Sequence, residues 1–247
     1  MQTIYEPKGR ALEYSLLALN LYQGCVHGCG YCYAAMMARR YGRDFQNAGV
    51  RPGVIEALKK AAPKFAGTDK RVLLCFSCDP YQPAGNKATR EALQVLRLHD
   101  IPFQVLTKGG LRAARDFDLY GPRDAFAVTL TSVCFPVAMS HEPNAASPDD
   151  RCRALIRAKR HGIQTWVSLE PVIDPDESLE VIRQTHTYVD FYKVGTLNHA
   201  ANKTDWRAFG IRAINLLEKL GKRYYVKHDL AKHLDGVKYT SIDTRTV

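Results

Sequence analysis

Cys25-Val-His-Gly-Cys29-Gly-Tyr-Cys32 places three thiols at C-x3-C-x2-C spacing, directly after the apolar run Ser15-Leu-Leu-Ala-Leu-Asn-Leu-Tyr22. Gly24, Gly28 and Gly30 let the backbone wrap tightly enough for all three sulfurs to address one small inorganic centre. Structural zinc sites and ordinary [4Fe–4S] sites close with four protein ligands, whereas three leave one metal corner open for something that reacts. Two blander readings stand beside this one. A zinc knot would be completed by His27 or a remote cysteine, and a disulfide pair would have to fit the cramped spacing.

A chain of 247 residues can bury a substantial core as one domain, 1–247, and no linker, low-complexity tract or repeat divides it. Met1-Gln-Thr-Ile-Tyr-Glu-Pro-Lys8 has no apolar h-region, and no run approaches the ~20 apolar residues of a membrane span. The expectation is a cytoplasmic monomer without a membrane partner, its seven cysteines reduced. A net charge of +10 favours a polyanionic partner, nucleic acid before others.

Strand-like runs recur after the cysteine loop: 71–77, 102–107, 125–131, 164–169 and 189–194. Amphipathic segments lie between or after them at 87–98, 149–161, 175–187 and 205–220. With Ser15–Tyr22 as the first strand, this alternation reads as six βα units around a parallel sheet. A further strand candidate, Lys222–Lys227, follows the last helix, so a full (β/α)8 barrel is tight but open as an alternative. Active groups of such folds gather at the strand C-termini, and the cysteine loop follows strand one.

The loop, including Tyr31 just before its third cysteine, resembles the signature of the radical S-adenosylmethionine (SAM) superfamily. That resemblance implies an α/β fold, a partial (β/α)6 barrel with a core of about residues 15–220, a small N-terminal extension and a C-terminal one over 221–247. It implies that Cys25, Cys29 and Cys32 hold three irons of a [4Fe–4S] cluster while SAM chelates the fourth. Reductive cleavage of SAM then yields methionine and a 5′-deoxyadenosyl radical that abstracts hydrogen from a substrate. Tyr31 and the backbone around Tyr33 would lie against the adenine, and a flavodoxin- or ferredoxin-like protein would supply the electron.

The polar strand tips become candidate ligands on that view. Asp79 or Ser77 would meet the methionine ammonium, Lys108 the carboxylate, and Thr131 or Ser168 the ribose or carboxylate. Glu170 would serve ribose or substrate, and Asn198 tips the sixth strand. Ser77-x-Asp79-Pro80-Tyr81 and Thr107-Lys-Gly most resemble the spore photoproduct lyase-like group, over roughly residues 15–200. That group's Cys-Thr-Ser-Asp reads here Phe76-Ser77-Cys78-Asp79, which argues against plain lesion repair. Cys75 or Cys78 is then the candidate hydrogen donor, with Tyr81 near the same mouth. Cys75, Cys78, Cys134 and Cys152 could also hold a second cluster, but strand alternation turns Cys75 and Cys78 to opposite faces.

Basic groups gather at Arg39-Arg40-Tyr41-Gly-Arg43, at Arg151–Arg160, and at Lys219–Lys227 with Tyr224 and Tyr225. Phosphate contacts from such groups, with aromatics for stacking, suit DNA or RNA. The expected function is a radical SAM enzyme acting on nucleic acid. The rivals are a non-catalytic iron–sulfur or zinc nucleic-acid-binding protein, and a radical SAM enzyme acting on a peptide or metabolite.

Overall fold

Short β-branched and aromatic runs pair into one eight-stranded sheet in the computed structural model, which describes residues 3–83, 87–197 and 203–242. Its strands are β1 (Ile4–Tyr5), β2 (Leu17–Leu19), β5 (Val72–Leu74), β6 (Phe103–Thr107), β7 (Ala125–Thr129), β8 (Gln164–Ser168), β9 (Phe191–Val194) and β10 (Arg223–Val226), in that spatial order. From β2 to β10 every neighbouring pair is parallel; β1 adds an antiparallel edge to β2. A separate antiparallel pair, β3 (Tyr22–Gln23) and β4 (Gly49–Val50), brackets the cysteine loop. Among the described residues the sheet runs open from β1 to β10.

The helices are α1 (Tyr33–Arg40), α2 (Val54–Ala61), α3 (Lys87–Leu98), α4 (Phe135–His141), α5 (Pro148–Arg160), α6 (Pro175–Thr185), α7 (Trp206–Lys219) and α8 (His228–Ala231). Ser147, Asp174 and Asp205 cap α5, α6 and α7 with side-chain oxygens, and Pro148 and Pro175 stand at the first helical positions. One face of the sheet packs its Leu74, Val105, Val128 and Val167 against Leu93, Leu155, Ile182 and Phe209 of the helices. The other face buries Ala18, Leu73, Ala127, Trp166 and Phe191 beneath Tyr14 and forms the floor of a cavity.

Three expectations change. The first two strands are shorter than their apolar runs, because Asn20 turns its side-chain carbonyl to the Phe76 and Ser77 N–H groups, 2.8 and 2.9 Å away, in place of strand partners. The strand candidate Lys222–Lys227 does form a strand, but in the main sheet rather than in a C-terminal extension: β10 pairs with β9 as a seventh parallel strand, so part of 221–247 belongs to the sheet. Strand pairing then withdraws Tyr224 and Tyr225 from any stacking surface; their hydroxyls donate to Glu218 and Glu13. Between β6 and β7 the chain forms a 3-10 helix, Gly110–Leu119. Asn198 lies outside the described residues.

Candidate active site

The cysteine loop is pinned on all sides before Cys32 caps α1. Gly24 turns it at φ +73°, where a Cβ would lie 2.5 Å from the Phe45 carbonyl oxygen that accepts the Cys25 N–H. Val26 donates to Gln82 Oε1 at 2.9 Å, Gly30 donates to the His141 carbonyl, and Asn144 donates to the Val26 and His27 carbonyls. Cys25, Cys29 and Cys32 are free, partly exposed thiols that line one cavity of about 510 Å³. Among the described residues no three His, Cys, Asp or Glu side chains converge as a single ion requires. A cube that takes one iron per cysteine suits thiols spread around a loop. Burial pushes the Cys25 thiol up to about 12, with Asp79 adding to the rise, and also raises Cys29, so metal binding must displace protons here.

Lys108 brings a cation to the same wall. Its Nζ stands 5.6 Å from the centre of the Tyr31 ring. Burial opposes its charge, yet Cys29, Glu142 and Asp79 together hold it above the ordinary lysine value. Three thiols, a cation and this volume fit a cluster with a bound amino acid-like cofactor.

Asp79 is committed to the scaffold. Its Oδ1 accepts from Tyr81 N–H at 2.8 Å and Thr107 Oγ1 at 2.6 Å, and its Oδ2 from Lys108 N–H at 2.7 Å. His27 Nδ1 lies 3.5 Å from Oδ2; burial lowers this imidazole against the pull of the carboxylate. These contacts tie the end of β5 to the end of β6 and use the acceptor sites that an ammonium would need. Ser77 and Asp79 both line the cavity, with the Asp79 oxygens already engaged by these contacts.

Tyr31 is anchored behind the loop. Its hydroxyl donates to Glu142, whose other oxygen pairs with Arg151 at 2.5 Å. Both charges are fully buried, and Arg151 also donates to the Ala146 and Thr129 carbonyls. Arg151 is thus part of the core rather than of a basic surface, while Arg153, Arg157 and Arg160 stay exposed.

The wall continues away from the cysteines as a row of rings. Tyr33, Phe76, Tyr14 and Trp166 succeed one another at centroid spacings of 5.9, 5.9 and 6.3 Å. At the far end the Tyr14 hydroxyl donates to Glu170 at 2.9 Å, and Lys227 from the end of β10 pairs with the same carboxylate. Gly195 allows this approach, since a Cβ there would lie 2.8 Å from Glu170 Oε1. Lys193 lies beneath, between the Tyr14 and Trp166 rings, bonded to the Glu13 and Tyr14 carbonyls.

Most sequence candidates thus meet in one cavity: Tyr31, Tyr33, Ser77, Cys78, Asp79, Lys108 and Glu170 line it with the three cysteines. Three do not reach its lining. Tyr81 turns into the core and donates to Asp116 at 2.9 Å, because Asp79 captures its N–H and reverses the chain. Ser168 is buried behind Tyr14, its Oγ 3.3 Å from that hydroxyl, and Thr131 is buried beyond the end of β7, where Thr129 lines the cavity instead. Cys75 and Cys78 do not face apart. β5 ends at Leu74, alternation lapses, and both residues line the same cavity. Arg39, Arg40 and Arg43 are exposed and do not line the cavity; Lys8 and Arg10 do. Tyr14, Asn20, Glu142, Lys193 and Lys227 carry no motif. A lysine inside the apolar strand Phe191-Tyr-Lys193-Val was the one visible signal.

Comparison with known proteins places the fold. An uncharacterised protein of Acidianus two-tailed virus is 25% identical over 181 residues, 68% of this chain and 59% of that one. The chain therefore spans well under two thirds of the viral relative. An uncharacterised protein of Methanocaldococcus jannaschii is 27% identical over 192 residues, covering 75% and 71%. Spore photoproduct lyase with bound AdoMet and dinucleoside spore photoproduct superposes with a TM-score of 0.71 at 13% identity, over 92% of this chain and 79% of that one. Streptococcus suis SuiB bound to S-adenosylmethionine gives 0.67 at 10% identity, over 90% and 53%. The family model of the radical SAM superfamily matches residues 19–189, and the chain belongs to that superfamily.

Proposed function

We propose that this radical SAM enzyme acts on nucleic acid, taking a single-stranded or extruded nucleotide into the Tyr14–Lys227 end of its cavity. The observation that carries the reading is the make-up of the cavity: Lys8 and Arg10 line it, and the half-buried Phe76 ring stands in its wall, in a chain of net charge +10. The likeness to a fold solved with a dinucleoside lesion supports it. When bound, the reduced cluster and SAM supply a carbon radical able to take hydrogen from a C–H bond.

Around that chemistry Cys25, Cys29 and Cys32 hold the cluster, Lys108 pairs with the cofactor carboxylate, Ser77 meets its ammonium, and Tyr31 and Tyr33 flank its adenine. Cys78, beside Cys75, returns hydrogen to the product radical: its S–H bond breaks, a C–H bond forms, and the unpaired electron stays on sulfur. Glu170, tied to Tyr14 and Lys227, faces the substrate.

Titration of labelled single-stranded and duplex oligonucleotides at two salt concentrations tests the substrate class. Single strands should bind better, with affinity falling steeply as salt rises. Lys8→Ala/Arg10→Ala should weaken binding and lower the salt slope by about one per lost phosphate contact. Salt-insensitive binding, or none, would move the substrate to a peptide or metabolite.

A further inference from the structure

Helix α1 presents its large apolar side chains outward. Tyr33, Met36, Met37 and Arg40, at i, i+3, i+4 and i+7, share one face. Tyr33, Met36 and Met37 are 40%, 38% and 45% exposed, whereas Ala34, Ala35 and Ala38 form the half-buried side, and no residue of α1 is buried. A packed helix shows the reverse pattern. Arg39, Arg40 and Arg43, with Tyr41 at 65% exposure, ring the stripe in positive charge. Tyr33, Met36 and Met37 lie within about 8 Å of Cys32 along the helix axis, and Arg40 within about 12 Å. Met36, Met37 and the arginines stay out of the cavity lining, so a partner seated on them leaves the substrate's entrance open.

We propose that this face docks the protein that reduces the enzyme, an acidic one-electron carrier. Charge complementarity selects an acidic surface, and a methionine stripe selects protein over nucleic acid. Thioethers adapt to a partner's apolar patch, whereas a phosphate backbone would leave them wet. The position selects an electron carrier, because α1 begins at a cluster cysteine. In the encounter one electron leaves the carrier's reduced flavin or iron–sulfur centre for the cluster, and no atom is transferred. The inference rests on Cys25, Cys29 and Cys32 being the cluster ligands.

The probes are a recombinant flavodoxin and a recombinant ferredoxin, titrated against reconstituted enzyme at two salt concentrations, with affinity read by fluorescence anisotropy. Saturable binding that weakens with salt is expected for at least one carrier. Met36→Glu/Met37→Glu should lower that affinity about tenfold or more, and Met36→Ser/Met37→Ser should lower it less. Iron content, oligonucleotide affinity and dithionite-driven SAM cleavage should match wild type in both variants. The docking face is overturned if neither carrier binds, if the variants bind the carrier as well as wild type, or if oligonucleotide affinity falls instead. It is likewise overturned if wild type is a dimer that the substitutions dissolve. A wild-type protein that takes up no iron sinks the cluster ligands, a failure read independently of carrier affinity.

Discussion

Lys108 sets its ammonium against Tyr31 and beside Cys29, where a cofactor carboxylate would meet it. Lys108→Ala should therefore weaken SAM binding by a charge-assisted hydrogen bond, ~1.5–3 kcal/mol, with iron retained. Isothermal titration of reconstituted protein checks this, and an unchanged affinity would return Lys108 to the scaffold. Arg151 is a different kind of residue, buried entirely against Glu142 and out of solvent's reach. Arg151→Met leaves that carboxylate without its cation and should cost about 3–5 kcal/mol in urea denaturation, while Glu142→Gln/Arg151→Met should recover most of the loss. Lys193 gives a pH signature. Burial lowers it to about 7, against Glu13, so between that value and its unfolded value near 10.4 the unfolded chain binds more protons than the native one. Stability should accordingly rise from pH 7 to 9 in wild type, and the rise should shrink in Lys193→Met; parallel curves for the two proteins would contradict the assignment.

At the scale of elements the cysteine loop depends on Gly24. Gly24→Ala combines a positive φ with a Cβ against the Phe45 carbonyl, so it should lower iron uptake on reconstitution, as iron and sulfide analysis would show. Helices with a clean period were legible: α3 occupies the expected 87–98, and α5 and α7 fall within a residue of their predicted starts. α1 escaped notice because its stripe faces outward, and 110–119 because a 3-10 helix lacks the 3.6-residue period. Strand alternation misplaced Cys75 and Cys78 once Asn20 drew off the N–H groups beyond Leu74. The candidate site was legible where one stretch carries it, as at Cys25–Cys32, whose three thiols line one cavity. The Glu142–Arg151–Tyr31 and Tyr14–Glu170–Lys227 sets were not, because Tyr31 meets Glu142 across 111 residues, Tyr14 meets Glu170 across 156 and Lys227 meets Glu170 across 57, contacts that no local pattern encodes.

The whole molecule divides its labour around one cavity: thiols and Lys108 at one end, Tyr14, Glu170 and Lys227 at the other, with a row of rings between. β10 matters at this scale, since without that seventh parallel strand Lys227 would not reach Glu170. Everything proposed for the cavity depends on what Cys25, Cys29 and Cys32 hold. The decisive measurement is iron and sulfide content after anaerobic reconstitution, in wild type and in the Cys25→Ala/Cys29→Ala/Cys32→Ala variant. Wild type should carry about four irons and four sulfides. The triple variant should lose them together with the brown chromophore and all SAM cleavage, while Cys134→Ala and Cys152→Ala retain all three. Normal iron content in the triple variant would contradict the account.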